Sequence, residues 1–465
     1  MGLIRQRSSG AASIDTLANW VVVGYDAQIT AEVNLPKDFI MLHIPLQLSV
    51  FLFLSALSSC AFAQEWTRFR GPNGTGFSDA KTIPVEFSEA DFNWKAELPG
   101  IGHSCPVVWG EKLFLLSADP TDATRYVLCV NSQTGMIEWQ KTFPSETHQL
   151  HARSSYASCT PTVDKDLVYV AWSEPKQITF KAFTHEGQEV WSKDLGRWQS
   201  QHGWGASPIR YKDLVIIHNS QQANALKEGE KPGDSFMMAF HAATGKEVWQ
   251  TPLVSVNVCY SVPFIYSPPN GGPDELVCVS TGNGMFSLNP LTGKQNWGLN
   301  DGLFKMRTVA SPVTAAGLIF GSTGSGSYSG NYIVAVKPGK NPELAYEIKN
   351  SGKFKAPYVP CYLAYGDLIF MIYDRGFISC LDAVTGEIHF TERTQANFSA
   401  SPVLIDGKIY AVDEEGVVWV WAADKKYKLL AKNELGEASR STPAVSGGHL
   451  FIRTHSHLIS IGAGS

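Results

Sequence analysis

A strand–turn–strand segment recurs along this chain and constrains its fold more than any other feature. Its most regular copy, Ala239–Trp249, carries a Thr-Gly pair and, four residues after the glycine, a tryptophan. Gly245 permits the positive φ of a tight turn without steric cost, so the segment predicts a hairpin whose second strand bears a large aromatic side chain. Repetition of one such unit predicts a repeat architecture. Related copies end at Trp139, Trp191, Trp297 and Phe390.

A second recurring signal, a proline at the start of the first strand of each unit, gives the number of units. Successive prolines lie 55, 47, 55, 49, 48, 42 and 41 residues apart, which matches the period of a four-stranded propeller blade. Proline is tolerated there because an innermost strand has a free edge, where a missing N–H breaks no ladder. The eight positions are Pro106, Pro161, Pro208, Pro263, Pro312, Pro360, Pro402 and Pro443.

The last unit lacks a strand that the other end of the chain can supply. From Pro443 to Ile461 there are three strand-like stretches, whereas residues 92–98, with Trp94, alternate like a strand without a neighbouring partner. Pairing the two ends removes an exposed sheet edge. We therefore predict an all-β, eight-bladed propeller of four-stranded antiparallel blades over residues 92–465, closed by the strand around Trp94, with seven blades as the alternative. The fifth and seventh units depart from the Thr-Gly pattern but remain strand–turn–strand.

Three expectations concern the residues before the propeller. Residues 1–40 are expected to be an over-extended start or an unstructured leader. Residues 41–63 have the apolar core and the Ala-Phe-Ala ending of a secretory signal peptide, which predicts export to the periplasm or cell envelope. Alternatively, Leu57-Ser-Ser-Cys60 has the pattern of a lipobox, and a lipidated Cys60 would attach the protein to a membrane. Residues 64–91, called the strap, are expected to cross one face of the propeller.

Composition narrows the classes of partner and site. The net charge is −5 and no basic run occurs, so no nucleic-acid partner is expected. The eight cysteines form no Cys-x-x-Cys pair, which favours buried thiols and no metal site, with disulfides left open. We expect a monomer.

The hairpin copies resemble the repeats of the quinoprotein-like propellers, the family named after pyrroloquinoline quinone. The resemblance covers nearly the whole chain after the signal-like segment. It implies that the tryptophan of each hairpin packs between neighbouring blades, where its large buried area joins one sheet to the next. This assigns a structural docking role to Trp94, Trp139, Trp191, Trp249 and Trp297.

The same resemblance gives two functional alternatives. Quinoprotein dehydrogenases of this family hold their cofactor with adjacent cysteines, a calcium site and a catalytic acid, whereas here no two cysteines are adjacent and no calcium-loop pattern occurs. The chain is more similar to non-catalytic envelope propellers, such as the scaffold of the outer-membrane assembly machinery. We therefore expect a binding or scaffolding module without a cofactor and nominate no catalytic residue. The alternative is a divergent oxidoreductase acting on alcohols or sugars with pyrroloquinoline quinone and Ca²⁺.

A binding site is expected where the loops before the inner strands open onto one end of the central channel. The ionisable residues of those loops are nearly all basic, so their convergence would attract an anionic or glycan ligand or an acidic protein partner. The alternative is that each side chain only hydrogen-bonds its own loop. The candidates are His103, His151, Arg153, Tyr156, His202, Trp204, Arg307, Lys355 and Arg440.

Overall fold

The computed structural model describes residues 65–200, 202–326 and 330–462. In these ranges the chain forms short β-strands and two 3-10 helices, Pro72–Gly74 and Glu89–Asp91. The predicted leader, the predicted signal peptide and Cys60 lie outside the described residues. No helix within the described ranges is long and apolar enough to cross a membrane.

The strands form eight sheets, and the prediction of eight four-stranded antiparallel blades is confirmed. Blades 1 to 4 consist of Val107–Trp109, Lys112–Ala118, Arg125–Asn131 and Ile137–Phe143; Thr162–Val163, Leu167–Ser173, Ile178–Thr184 and Glu189–Asp194; Ile209–Tyr211, Leu214–Asn219, Ser235–His241 and Glu247–Leu253; and Phe264–Tyr266, Glu275–Ser280, Gly284–Leu288 and Gln295–Leu299. Blades 5 to 8 consist of Val313–Ala315, Leu318–Thr323, Tyr332–Lys337 and Glu343–Lys349; Leu363–Tyr365, Leu368–Tyr373, Phe377–Asp382 and Ile388–Arg393; Val403–Ile405, Lys408–Val412, Val417–Ala422 and Leu429–Glu434; and Ala444–Ser446, His449–Arg453, His457–Gly462 and Phe92–Glu97.

The two ends of the propeller meet in blade 8, as predicted. Phe92–Glu97 pairs antiparallel with His457–Gly462, and Trp94 lies opposite Ser460. Blades 5 and 7 are complete despite their irregular turns, and blade 7 gains a fifth strand, Phe77–Ser78, which pairs parallel with Val403–Ile405. Each of the eight sheets therefore has at least four strands, including blade 8, in which the first and last strands of the propeller pair.

The predicted start of blade 6 was wrong by two residues. In the other seven blades the marker proline directly precedes the first strand, but Leu363–Tyr365 begins after Tyr362 rather than after Pro360. Pro360 lies in the preceding connection, where the N–H groups of Tyr358 and Val359 donate to the Asp374 carboxylate of the same blade. This anchoring keeps Pro360 outside the strand.

A ring of hydrogen bonds joins the inner ends of the blades. At seven of the eight junctions, the residue two positions before an inner strand donates its backbone N–H to the side chain of the equivalent residue in the next blade, over 2.9–3.2 Å. The pairs are Cys105–Thr160, Thr160–Ser207, Val262–Ser311, Ser311–Cys361, Cys361–Ser401, Ser401–Thr442 and Thr442–Cys105. The ring is interrupted after Ser207, because Val262 has no acceptor in its side chain.

The outer rim is joined by the aromatic residues of the outermost strands. Trp191 Nε1 donates to Ala242 O in the next blade at 2.7 Å, and its ring lies against Gly245 so closely that a Cβ there would be 2.7 Å from Trp191 Cδ2. This contact, in addition to its φ of 65°, explains the glycine of the repeated turn. Equivalent indole-to-carbonyl bonds are made by Trp94, Trp139 and Trp249.

Two junctions of the rim differ from this pattern. Trp297 Nε1 donates to Glu275 of its own blade, although the ring still packs with Ile319 of blade 5 in one apolar cluster. In blade 5, Tyr346 takes the place of a tryptophan and donates its hydroxyl to Ala383 O of blade 6 at 2.6 Å. The irregular fifth turn thus changes the docking residue but not the junction.

The strap crosses the ring at the end opposite to the blade-to-blade connections. Its bonds to blades 1, 4, 6 and 7 are Val108 N to Trp66 O, Arg68 Nη2 to Pro263 O, Arg70 Nη2 to Tyr362 O and Leu404 N to Gly76 O. The strap therefore ties blades on both sides of the channel and closes that end. The seven described cysteines are buried and unpaired, which confirms the prediction of buried thiols for them.

The interrupted junction gives a stability test of the inner ring. Val262→Thr supplies the missing acceptor for Ser207 N–H, so the free energy of unfolding should rise by about 0.5–1 kcal/mol, the net value of one hydrogen bond. As a control, Val277→Thr places a hydroxyl in a fully buried strand position and should lower stability by about 1–3 kcal/mol. Denaturant unfolding measures both. Equal losses in the two variants would show that the ring does not contribute.

Candidate functional site

The loops that carry the candidate residues emerge at one end of the propeller. Because neighbouring strands run in opposite directions, the blade-to-blade connections and the turns between second and third strands share this end, called the loop end. A cavity of about 590 Å³ opens there. Its walls belong to all the connections around the ring, and its floor is formed by residues of the inner ring together with Phe69 of the strap.

The structure brings together seven of the nine candidate residues. They line the cavity from five separate connections, and they are His103, His151, Arg153, His202, Trp204, Arg307 and Arg440. The other two do not line it. Tyr156 exchanges hydrogen bonds with the backbone of His148, and Lys355 Nζ donates to Ser351 O at 2.8 Å. These two side chains follow the alternative expectation that a loop residue bonds its own loop.

Several lining residues were missed by sequence analysis. Arg375 lies in the turn between the second and third strands of blade 6, and such turns were not considered although antiparallel pairing places them at the loop end. Tyr260 and Tyr358 lie in connections that precede inner strands, and neither was nominated as a site residue. Phe69 belongs to the strap, and no sequence pattern indicates that its ring would reach the channel.

The cavity lining is strongly asymmetric in charge. Four guanidiniums, those of Arg153, Arg307, Arg375 and Arg440, line it, whereas its described lining contains no aspartate or glutamate. Arg307 Nη2 lies 3.5 Å from Gln222 Oε1, a neutral partner. Cations gathered in a concave, partly buried site focus positive potential, which favours an anion there.

Two ion pairs hold the loops over the cavity. Arg153, between blades 1 and 2, lies 3.2 Å from Asp374 of blade 6, on the opposite side of the ring. Arg440, between blades 7 and 8, lies 3.2 Å from Glu414 and donates to Ala152 O. The connection carrying Arg153 is therefore fixed across the mouth of the cavity. Burial raises the pKa of the Asp374 carboxyl, which Tyr358 N–H and Arg153 stabilise in its charged form.

The surroundings of the cavity histidines lower their pKa values, which favours the neutral imidazole. Burial, followed by Arg307 and His151, lowers the pKa of His202 to about 4. Burial and then Arg440 lower the pKa of His103 to about 3. The pKa of His151 is lowered by burial and by Arg153, Arg307 and Arg440, which shows that three arginines from separate connections converge on this ring. The imidazoles thus supply hydrogen-bonding nitrogens rather than charge.

The donor set of the cavity does not fit the calcium-assisted quinone site implied by the oxidoreductase alternative. Calcium takes six to eight oxygen ligands, mainly carboxylates and carbonyls, and the described lining offers arginines and histidines. In the part of the chain that the structure describes, no group of three or more His, Cys, Asp or Glu is arranged to hold a metal ion.

The convergence of the arginines is testable by histidine titration. In Arg307→Gln, the pKa values of His202 and His151 should both rise towards the ordinary value of 6.5, because a nearby positive charge is removed. Arg153→Gln should raise the pKa of His151 and leave that of His202 unchanged. NMR titration of the labelled imidazoles measures both. A His202 pKa near 6.5 in the unmodified protein would contradict the described cavity.

Comparison with known proteins gives the family. The sequence model described as outer membrane protein assembly factor BamB matches residues 88–257, 233–340 and 360–462, whereas no curated protein matches the chain. Solved structures share the fold at low identity. BamB from Moraxella catarrhalis is 12% identical over 80% of this chain and 98% of its own, with a TM-score of 0.52.

Two further structures show how widely this fold is used. Quinohemoprotein alcohol dehydrogenase from Comamonas testosteroni is 12% identical over 88% of this chain and 82% of its own, with a TM-score of 0.59. Sqt1 from Saccharomyces cerevisiae is 11% identical over 83% and 100%, with a TM-score of 0.56. These likenesses concern the fold alone. The family model, in contrast, matches more than half of the sequence, and the chain therefore belongs to the outer membrane protein assembly factor BamB family.

Proposed function

We propose that this protein is an exported, non-catalytic binding module of the bacterial envelope, and that its loop end recognises an acidic group. The observation that carries the proposal is the convergence of Arg153, Arg307, Arg375 and Arg440 on one cavity whose described lining contains no carboxylate. Charge-assisted hydrogen bonds from guanidiniums to carboxylate or phosphate are among the stronger polar contacts in proteins. The acidic group belongs either to a small ligand or to a protein partner.

Family membership supports the envelope and scaffolding parts of the proposal. The name of the matched family refers to assembly of outer membrane proteins, and a rigid ring with one open, charged end suits a scaffold. The apolar segment at 41–63 supports export by its pattern. The protein acts as a monomer in this proposal, and it associates with the membrane only if Cys60 is lipidated.

The non-catalytic part of the proposal is supported by the chemistry of the cavity. Its basic groups are guanidiniums, which do not exchange protons near neutral pH, and imidazoles, with pKa values of about 3 at His103 and about 4 at His202. Burial raises the pKa of Tyr260, Tyr358 and Cys105 in the same lining. A general acid or base works best with a pKa near the operating pH. The cavity is therefore better suited to hold an anion than to move a proton.

Thermal unfolding in the presence of anions tests the proposed binding end. Citrate, inorganic phosphate or an eight-residue glutamate peptide should raise the unfolding midpoint of the unmodified protein, since a ligand at 100 times its Kd stabilises by about 2.7 kcal/mol. The rise should be lost in Arg307→Gln and Arg375→Gln. It should persist in the control Arg393→Gln, because Arg393 lies on the outermost strand of blade 6.

Two results would contradict the proposal. Stabilisation by these anions that is equal in all variants would place binding outside the cavity. Reduction of a dye by the protein with pyrroloquinoline quinone, Ca²⁺ and an alcohol or sugar would instead support the oxidoreductase alternative.

A further inference from the structure

The cavity is closed below and partly covered above. Phe69 of the strap forms part of its floor. At the mouth, the Arg153–Asp374 pair crosses the ring and Arg440 donates to Ala152 O, at 3.2 and 3.0 Å. As the described residues have it, a protein segment would have to enter and leave through this bridged opening. The volume of about 590 Å³ lies instead within the roughly 300–1,000 Å³ typical of small-molecule sites.

The charge around the cavity exceeds what one acid group would balance. Two more guanidiniums, those of Arg68 and Arg70, are buried on either side of Phe69 and donate to the backbone oxygens of Pro263 and Tyr362. Within the described residues, neither forms an ion pair with a carboxylate. Burial and then the Arg70 charge lower the pKa of Arg68 to about 9, so it still carries its proton at neutral pH.

The buried arginines indicate how much negative charge the ligand carries. Charged groups removed from water without a counter-ion are costly. Of the four arginines in the lining, Arg153 and Arg440 already have a carboxylate partner in Asp374 and Glu414. The buried guanidiniums of Arg68 and Arg70, which form no ion pair within the described residues, add positive charge that these two pairs do not offset. A dianion bound above Phe69 would offset more of that charge than a monoanion.

The uncharged polar groups of the cavity fit a ligand with several hydroxyls. On the floor, the side-chain oxygens of Thr160, Ser207, Ser401 and Thr442 each accept a backbone N–H of the preceding blade. A hydroxyl that accepts still has its own proton to donate. The neutral imidazoles on the walls offer a ring nitrogen as an acceptor, so a polyol would find both donors and acceptors.

The aromatic side chains of the walls suit the apolar faces of a sugar ring. Tyr260 and Tyr358 line the cavity, and the His151 and His202 rings meet edge to face with centroids 4.9 Å apart. Flat aromatic surfaces pack against the C–H groups of a pyranose, while the ring hydroxyls bond to the polar groups around them.

We propose that the cavity binds a phosphorylated or carboxylated monosaccharide, with the acid group held by the arginines and the sugar ring resting between the aromatic walls and the hydroxyl-bearing floor. This inference rests on the proposed function and specifies its ligand. The doubly charged phosphate ester is preferred over the singly charged sugar acid, because of the excess of positive charge.

Isothermal titration calorimetry on the purified protein tests the ligand class. Glucose 6-phosphate should bind, glucuronate should bind about tenfold more weakly, and glucose should show no measurable binding. Inorganic phosphate should be about tenfold weaker than glucose 6-phosphate because it lacks the ring. Arg307→Gln and Arg375→Gln should each weaken glucose 6-phosphate at least tenfold, as expected for loss of a charge-assisted contact of 1.4 kcal/mol or more. Arg393→Gln should bind like the unmodified protein.

The outcomes separate this inference from the proposed function. If the glutamate peptide binds in an Arg307-dependent way and glucose 6-phosphate does not, the small-molecule inference is overturned and the proposed function stands. Binding of inorganic phosphate as tight as that of glucose 6-phosphate would overturn the sugar assignment. If no anion binds, both proposals fail. Circular dichroism and thermal unfolding of each variant verify that a loss of binding is not a loss of folding.

Discussion

The hydrogen bonds that join the inner ends of neighbouring blades fix the relative positions of the connections at the loop end. Each bond runs from the backbone of one blade to a side chain of the next, so no blade can move without changing the position of its neighbour. The hydroxyls of Thr160, Ser207, Ser401 and Thr442 serve twice, because they connect blades and also form the cavity floor. Fold stability and the shape of the site thus depend on the same small polar side chains.

The strap contributes to both properties in a different way. It binds blades on opposite sides of the ring through Arg68 and Arg70, whose charges are buried without a carboxylate partner among the described residues. A purely structural strap could use neutral donors at much lower desolvation cost. Negative charge in the cavity above Phe69 would stabilise the two buried arginines on either side of it. The strap then both closes one end of the channel and contributes positive charge to the cavity.

Sequence analysis predicted the repeat far better than the site. The hairpin tryptophans and the prolines are local signals with a fixed period, so they gave the number of blades and the pairing of Trp94 with the last unit. The site depends on contacts across the ring, such as Arg153 with Asp374 some 221 positions away, which no local pattern encodes. Phe69 was missed for that reason, whereas Arg375 was missed because it lies in a turn within a blade rather than in a connection between blades. Lys355 was included because its connection is at the loop end, although sequence does not give the direction of its side chain.

The central claim is that negative charge is held in the arginine-lined cavity. A crystal soaked with tungstate, a strongly scattering dianion of phosphate-like shape, tests this directly by its anomalous signal. The account predicts the highest peak inside the cavity, within hydrogen-bonding distance of Arg307 or Arg375 and above Phe69. Tungstate bound only on the outer surface, with the cavity holding water, would contradict it.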